Sequence, residues 1–277
     1  MSIKRNSYTG TNIRFVILAA VVFIIILMPY AWMLLTSFRT NVDILGNRTR
    51  IIPEKWVING YRTVLFEAPF FKWFRNSVIV TVSVVVAVLF TSSITGFVFA
   101  KFKFRLKNTL FWLLLATMMV PSQVTMIPGF LVINAIGLYN TLFGLIIPAF
   151  VSAFGIFLCR QFCEDIPDSL CEAALIDGAG PFFMYVGIII PLLRPCLAAL
   201  GIFTFLGTWN DYLMPLILLE KMENMTLPVA LSFFTSQHSR NPGTVMAAAA
   251  LIMLPVTIVF LCFQKQFIKG ITLTGVK

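Results

Sequence analysis

Charge is what this chain has least of. Asp, Glu, Lys and Arg make up 12% of its 277 residues, about half the roughly 25% of a soluble domain. With 59% hydrophobic residues and a mean hydropathy of +0.92, it has too little polar surface to cover a water-facing globule. Composition therefore excludes a soluble domain and makes lipid the main solvent. Histidine occurs once, at His238, and the five cysteines, Cys159, Cys163, Cys171, Cys196 and Cys262, form no CxxC pair. Neither a metal site nor a disulfide framework is supported, and the thiols read as packing residues. Acidic residues number eleven against 21 Lys and Arg, a formal net charge of +10. Basic flanks facing anionic lipid account for that excess without nucleic acid as a partner. A signal-peptide cleavage site is also missing. The first apolar run, behind Lys4, Arg5 and Arg14, continues from Ile13 to about Leu35. It is too long for a signal core and reads as a retained span.

Long apolar runs are what the sequence has in quantity. A spanning helix takes roughly 20 apolar residues, and six segments qualify: 13–35, 76–100, 109–132, 142–161, 196–219 and 244–264. They must be helical, because lipid offers the backbone no hydrogen bonds. The expected fold is all-α, one polytopic membrane domain over 1–277 with six spanning helices. Orientation follows from Lys and Arg in short loops. KFKFRLK (101–107) carries four positive charges and NAIGLYN (134–140) none. This puts 101–107 and both termini in the cytoplasm. The first outer loop pulls the other way with Arg39, Arg48, Arg50, Lys55, Arg62, Lys72 and Arg75, but it is long enough to weaken the rule.

Against this background the stretch CEDIPDSLCEAALIDGAG (163–180) stands apart. It holds Glu164, Asp165, Asp168, Glu172 and Asp177, five of the eleven acids, and no Lys or Arg. The expected topology makes 162–195 cytoplasmic. Pro167 stops the preceding helix, Asp168 or Ser169 can N-cap the next, and Ser169-x-x-Glu172 fits a capping box. Gly178 supplies a C-terminal stop, and Pro181 suits the first turn of a second short helix. Ala173, Ala174, Leu175, Ala179, Phe182 and Phe183 would form an apolar ridge beside the carboxylates. A small apolar ridge rimmed by charge is how a docking surface looks. Composition leaves docking and internal packing against the span ends equally open.

The residues Glu172-Ala173-Ala174, Asp177-Gly178-Ala179, Ile190-Pro191 and Arg194-Pro195 resemble the EAA signature of membrane permeases in binding-protein-dependent ATP-binding-cassette importers. FLGTWNDYLMPLI (205–217), TLPVALSFFTSQ (226–237), FQKQFIKGITLTGVK (263–277) and PEKWVINGYRTVL (53–65) extend the likeness over nearly the whole chain. It is nearest to the maltose-type second permease of a heterodimeric channel. Cys171, Gly180-Pro181 and Tyr185 depart from the usual pattern and bear on the shape of the second short helix. The resemblance implies a bacterial inner or plasma membrane protein that imports a sugar or oligosaccharide by alternating access. It implies three partners: a second permease, a cytoplasmic ATPase dimer that holds ATP and Mg, and an extracytoplasmic sugar-binding protein. Ser169, Glu172, Ala173, Ala174, Asp177, Gly178 and Ala179 would be the coupling helix seated on the ATPase, and Gly270 and Gly275 would have structural roles in the tail. The chain would carry no catalysis and bind no cofactor. GITLTGVK (270–277) is no phosphate loop, because Val276 interrupts the Gly-Lys pair and no Ser or Thr follows.

Within the spans, Asp211 is the main ionisable group, and such groups commonly face a cavity or partner. Trp209, Asn210 and Asp211 could offer a sugar a stacking face and hydrogen-bond acceptors. Equally, Asp211 could cap a helix break. Pro121, Pro128, Pro148, Pro215 and Pro255 predict kinks. The small residues Thr91, Ser92, Ser93, Thr95, Gly96 and Ala100, and Ala247 to Ala250, predict close helix packing, within the chain or against a partner permease. His238 reads as exposed. The rival class, a stand-alone secondary transporter or channel, predicts several membrane acids and internal repeats, and neither is present.

Overall fold

The computed structural model describes residues 9–46, 52–238 and 240–275. Lys4 and Arg5, which precede the first apolar run, and Arg48 and Arg50, counted above for orientation, lie outside them, as do Val276 and Lys277. In chain order the helices are α1 (Thr9–Ser37), α2 (Asn41–Gly46), α3 (Asn59–Arg62), α4 (Phe70–Lys101), α5 (Lys107–Thr117), α6 (Ser122–Ala135) and α7 (Leu142–Ile146). They continue with α8 (Ala153–Glu164), α9 (Asp168–Ile176), α10 (Pro181–Phe183), α11 (Ile190–Trp209), α12 (Leu213–Leu218), α13 (Leu227–Gln237) and α14 (Pro242–Gly275). No strand occurs among the described residues. Five helices are long and apolar enough to cross a membrane, and α5 with α6 makes a sixth if that bent pair counts as one span. The all-α polytopic fold is therefore as the apolar runs dictate.

The differences lie where proline or a polar residue interrupts a run. The segment read as one span at 109–132 is two helices meeting at 98°. Pro121 sits in extended geometry at the junction, with φ −58° and ψ 133°. It removes a donor and forces the preceding residue out of the helical region. The segment read as 196–219 begins earlier, at Ile190, and α11 stops at Trp209; Asn210 to Tyr212 separate it from α12. In the fourth run, a tight turn at Pro148–Phe150 divides α7 from α8. The Ser152 hydroxyl accepts the Gly155 N–H at 3.1 Å and starts α8 afresh.

The chain forms two compact units. One comprises Pro69–Ser232 with Leu254–Lys277. Its centre is α4, which packs on α8 and α11. The buried face of α4 runs through Trp73, Ser77, Val80, Val84, Val88 and Ser92, a spacing of three to four residues that keeps one side of a helix inward. Gly96 lets the backbones close: a Cβ there would stand 2.6 Å from Cys159 Cβ and 2.8 Å from the Arg160 nitrogen of α8. Of the small residues read from the sequence, Ser92, Ser93 and Gly96 are buried on this face and serve packing within the chain. Hydrogen bonds fix the connections at one end of α4. Trp73 Nε1 donates to the Met222 carbonyl at 2.9 Å, Asn76 Nδ2 to the Glu223 carbonyl at 2.8 Å, and the Leu227 N–H to Ser77 Oγ at 2.7 Å. The connection between the fifth and sixth apolar runs, residues 220–243, is largely helical, with Leu227, Val229 and Ala230 fully buried.

The other unit comprises Met1–Ala68 with Phe233–Met253. Here Arg39 and Asp43, both buried, pair at 2.9 Å. Asn41 Nδ2 donates to Asn241 Oδ1 at 3.0 Å. His238 is half-buried instead of exposed; its Nδ1 lies 2.9 Å from the Phe234 carbonyl, and its ring stacks on Phe234.

Candidate functional site

The acidic stretch folds as a short helix held at both ends. Pro167 occupies the N-cap of α9, so Asp168 is already the first helical residue and no side chain caps the start. The capping box expected from Ser169 and Glu172 is not formed. Asp168 is used differently: its Oδ1 accepts from Lys101 Nζ at 2.6 Å, and the same ammonium donates to the Ile166 carbonyl at 2.5 Å. The Lys101 side chain is buried, whereas that of Asp168 is exposed. That hydrogen bond and the Lys101 charge hold the Asp168 carboxyl below the usual carboxylate range.

At the other end Gly178 adopts φ +79°, the left-handed geometry that favours glycine. The Ala179 N–H reaches the Ala174 carbonyl at 2.8 Å, and the Gly178 N–H reaches that of Leu175 at 3.1 Å, a helix stop of the expected kind. Pro181 opens α10. The chain then returns to the bundle through Tyr185, whose hydroxyl lies 2.7 Å from Ser93 Oγ on α4 and whose ring stacks on Phe97.

Between these anchors α9 splits into two faces. Ala174 is buried against the protein. Ser169, Glu172, Ala173, Asp177 and Gly178 are exposed, and Ala179 is half-buried. Leu175, Phe182 and Phe183 are exposed as well, and Ile176 is 86% exposed. Ile176 was not singled out from the sequence, although its place after Leu175 and before Asp177 put it beside the expected ridge. Lys101 was missed as a site residue too, because its partner lies 67 positions away.

A cavity of about 350 Å³ opens beside α11. Asp211 lines it together with Thr204, Gly207 and Thr208, which fall on one side of α11, and Phe154 and Phe203 supply aromatic surface. The Asp211 carboxylate faces the backbone N–H groups of Tyr212, Leu213 and Met214 at the start of α12. It thus serves the helix break and the cavity together. The structure does not bring Trp209 and Asn210 into this lining. Trp209 is buried, stacked on Phe205 at 5.7 Å and edge-on to Phe74 at 5.9 Å. Asn210 Nδ2 donates to the Leu206 carbonyl at 2.8 Å.

Apolar spanning helices around a partly polar cavity, with an acid-edged helix exposed beside them, define a multi-pass membrane transport subunit. The particular family follows from comparison. Residues 90–273 match the model of the binding-protein-dependent transport system inner membrane component, and the chain belongs to that family. It is 36% identical to an arabinooligosaccharides transport system permease protein of Bacillus subtilis, covering 91% of this chain and 90% of that one. It is 34% identical to an sn-glycerol-3-phosphate transport system permease protein of Shigella flexneri, covering 78% and 76%. Among solved structures, it matches a bacterial ABC transporter involved in the import of the acidic polysaccharide alginate. That match has a TM-score of 0.82 and 27% identity, covering 94% of this chain and 99% of that one. The chain is thus a permease subunit of a binding-protein-dependent ABC importer.

Proposed function

We propose that this subunit forms part of the path of a sugar or oligosaccharide and receives its driving force through α9. The observation that carries the reading is the exposed apolar edge of Leu175, Ile176, Phe182 and Phe183, flanked by Glu172 and Asp177. In a chain this poor in charge, such an edge suits a groove on a separate ATPase subunit, which holds ATP and Mg²⁺ and carries the hydrolysis. The basic turn 101–107 and α9 then face the cytoplasm, with both chain ends on that side. A second permease completes the channel, and an extracytoplasmic binding protein delivers the sugar. Relatives that carry arabinooligosaccharides, together with the hydroxyl-rich and aromatic cavity beside α11, support a carbohydrate cargo.

The mechanism follows from the anchors. Movement of α9 is transmitted to α4 through Lys101 and Asp168 at one end and through Tyr185 and Ser93 at the other. Because α4 packs on α8 and α11, a tilt of α4 reshapes the cavity they border. ATP binding has to favour one state over the other by about 5.5 kcal/mol to move a 1:99 ratio to 99:1.

Copurification tests the reading. Glu172→Arg and Ile176→Glu should each release the ATPase subunit while the chain stays inserted and monodisperse. Retention of the ATPase by both variants excludes docking at α9. A thiol placed by Leu175→Cys should react with a membrane-impermeant reagent only from the cytoplasmic side. Labelling from the outside alone reverses the orientation.

A further inference from the structure

The cavity beside α11 has an uneven chemistry. Thr204, Gly207 and Thr208 are spaced i, i+3 and i+4, which places them on one face of α11, and Asp211, just past the end of that helix, lines the cavity with them. The Thr204 and Thr208 hydroxyls can each donate and accept, as sugar hydroxyls require. Phe154 and Phe203, ring centroids 6.1 Å apart and edge to face, line the same space and are both substantially exposed. Aromatic surface of this kind suits the C–H faces of a pyranose or furanose ring. Thr226 also lines the cavity, and its buried Oγ1 has no hydrogen-bond partner among the described residues. Asp211 is the one charged residue among the described residues of the lining, with no Lys, Arg or His. At about 350 Å³ the space lies at the lower end of the roughly 300–1,000 Å³ typical of ligand sites, enough for a small sugar and not for a long chain at once.

We infer that this cavity is a sugar compartment selective for uncharged sugars, in which Asp211 turns away uronates and phosphorylated sugars. The inference rests on the proposed role of this subunit in the sugar path and adds its charge class. A cargo that carries carboxylates or phosphates needs a cation to replace the water it leaves, and this lining offers a carboxylate instead. Uncharged hydroxyls meet the opposite situation, since they donate to a carboxylate readily. The binding protein can sort cargo before it arrives, but Asp211 imposes a second selection inside the membrane.

The test reads the charge preference of the cavity directly, in the assembled importer in membranes. A Cβ at Gly207 meets open space, so Gly207→Cys places a thiol in the cavity with little disturbance. Cys171 and Cys262, the two cysteines that are not buried, are first replaced by serine. Cationic and anionic methanethiosulfonates of similar size are then compared. The cationic reagent should react at least roughly tenfold faster than its intrinsic advantage, and Asp211→Asn should abolish that excess. Equal rates, or a preference that survives Asp211→Asn, overturn the inference while leaving the sugar path intact. Failure of both reagents to reach the introduced thiol in any nucleotide state removes the path itself from this cavity, and with it the broader proposal. As a second arm, a digalactoside should protect that thiol better than the matching digalacturonate. The reverse order of protection overturns the inference.

Discussion

Lys101, the last residue of α4, reaches across 67 positions of sequence to place its ammonium 2.6 Å from Asp168, the first residue of α9. One end of this bridge is buried and the other exposed. An exposed ion pair contributes little to global stability. Its value here is positional, because Lys101 also holds the Ile166 carbonyl and thereby fixes the start of α9 to the tip of α4. Lys101→Met keeps the chain length and removes the bridge. It should lower cargo-stimulated ATP hydrolysis in the assembled importer by roughly 2- to 30-fold, the range for residues that carry coupling between sites. Insertion and ATPase copurification should be retained. Unchanged stimulation means that force enters the bundle elsewhere.

The same pair sets a pH dependence. Lys101 depresses the Asp168 carboxyl, so its contribution is fully present above the ordinary carboxylate range. It is lost as pH falls through the lowered folded-state value. The start of α9 should therefore keep constant protection across neutral and mildly acidic pH and loosen only at strongly acidic pH. Hydrogen exchange over 168–176, corrected for intrinsic rate, measures this. Asp168→Asn should show the loosened state already at pH 7. Equal protection in the two proteins at pH 7 denies the bridge any restraining role.

Gly178 makes a narrower prediction. Its φ of +79° puts an L side chain in strained geometry although the space around it is open. Gly178→Ala should cost about 1–2 kcal/mol locally. Gly178→Asn should cost less, because asparagine enters this region more readily, and Gly178→Val should cost most. Uptake ranked Gly, Asn, Ala, Val supports a conformational role. An order that follows side-chain size instead places a partner surface against this position.

How far the sequence announces this architecture depends on the range of the forces involved. Apolar run length is a direct demand of the bilayer, so six segments are legible without tertiary information. The stop at Gly178 and the start at Pro181 are local backbone chemistry and are legible too. The capping box at Ser169 is equally local, yet Pro167 takes the cap position and Asp168 is drawn to a distant lysine. Pro121 announces a break but not its 98° angle, which depends on what each half packs against. Trp209 and Asp211 sit two residues apart on a helix that ends between them, so their side chains part: one is buried among aromatics, the other lines a cavity. No periodicity separates them until the helix end is known. Lys101 reads as one topogenic charge among four, and only the fold gives it a partner.

Two glycines in the larger unit test whether close helix packing or open space governs the α4, α8 and α11 core. Gly96 faces the α8 backbone, where a Cβ would meet Cys159 and Arg160 atoms at 2.6–2.9 Å. Backbone cannot step aside as a side-chain tip can, so Gly96→Ala should push α4 from α8 and destabilise the unit by about 1–3 kcal/mol. Gly207 is also helical, but nothing lies within 4 Å of a Cβ built there. Gly207→Ala should be neutral or stabilising by up to about 1 kcal/mol, the usual gain of alanine over glycine in a helix. Thermal denaturation of the detergent-solubilised importer should therefore move down for the first variant and hold or rise for the second. Equal shifts would mean that α4 and α8 do not rely on this contact. A large loss at Gly207 would mean that the cavity is closed in the state that limits stability.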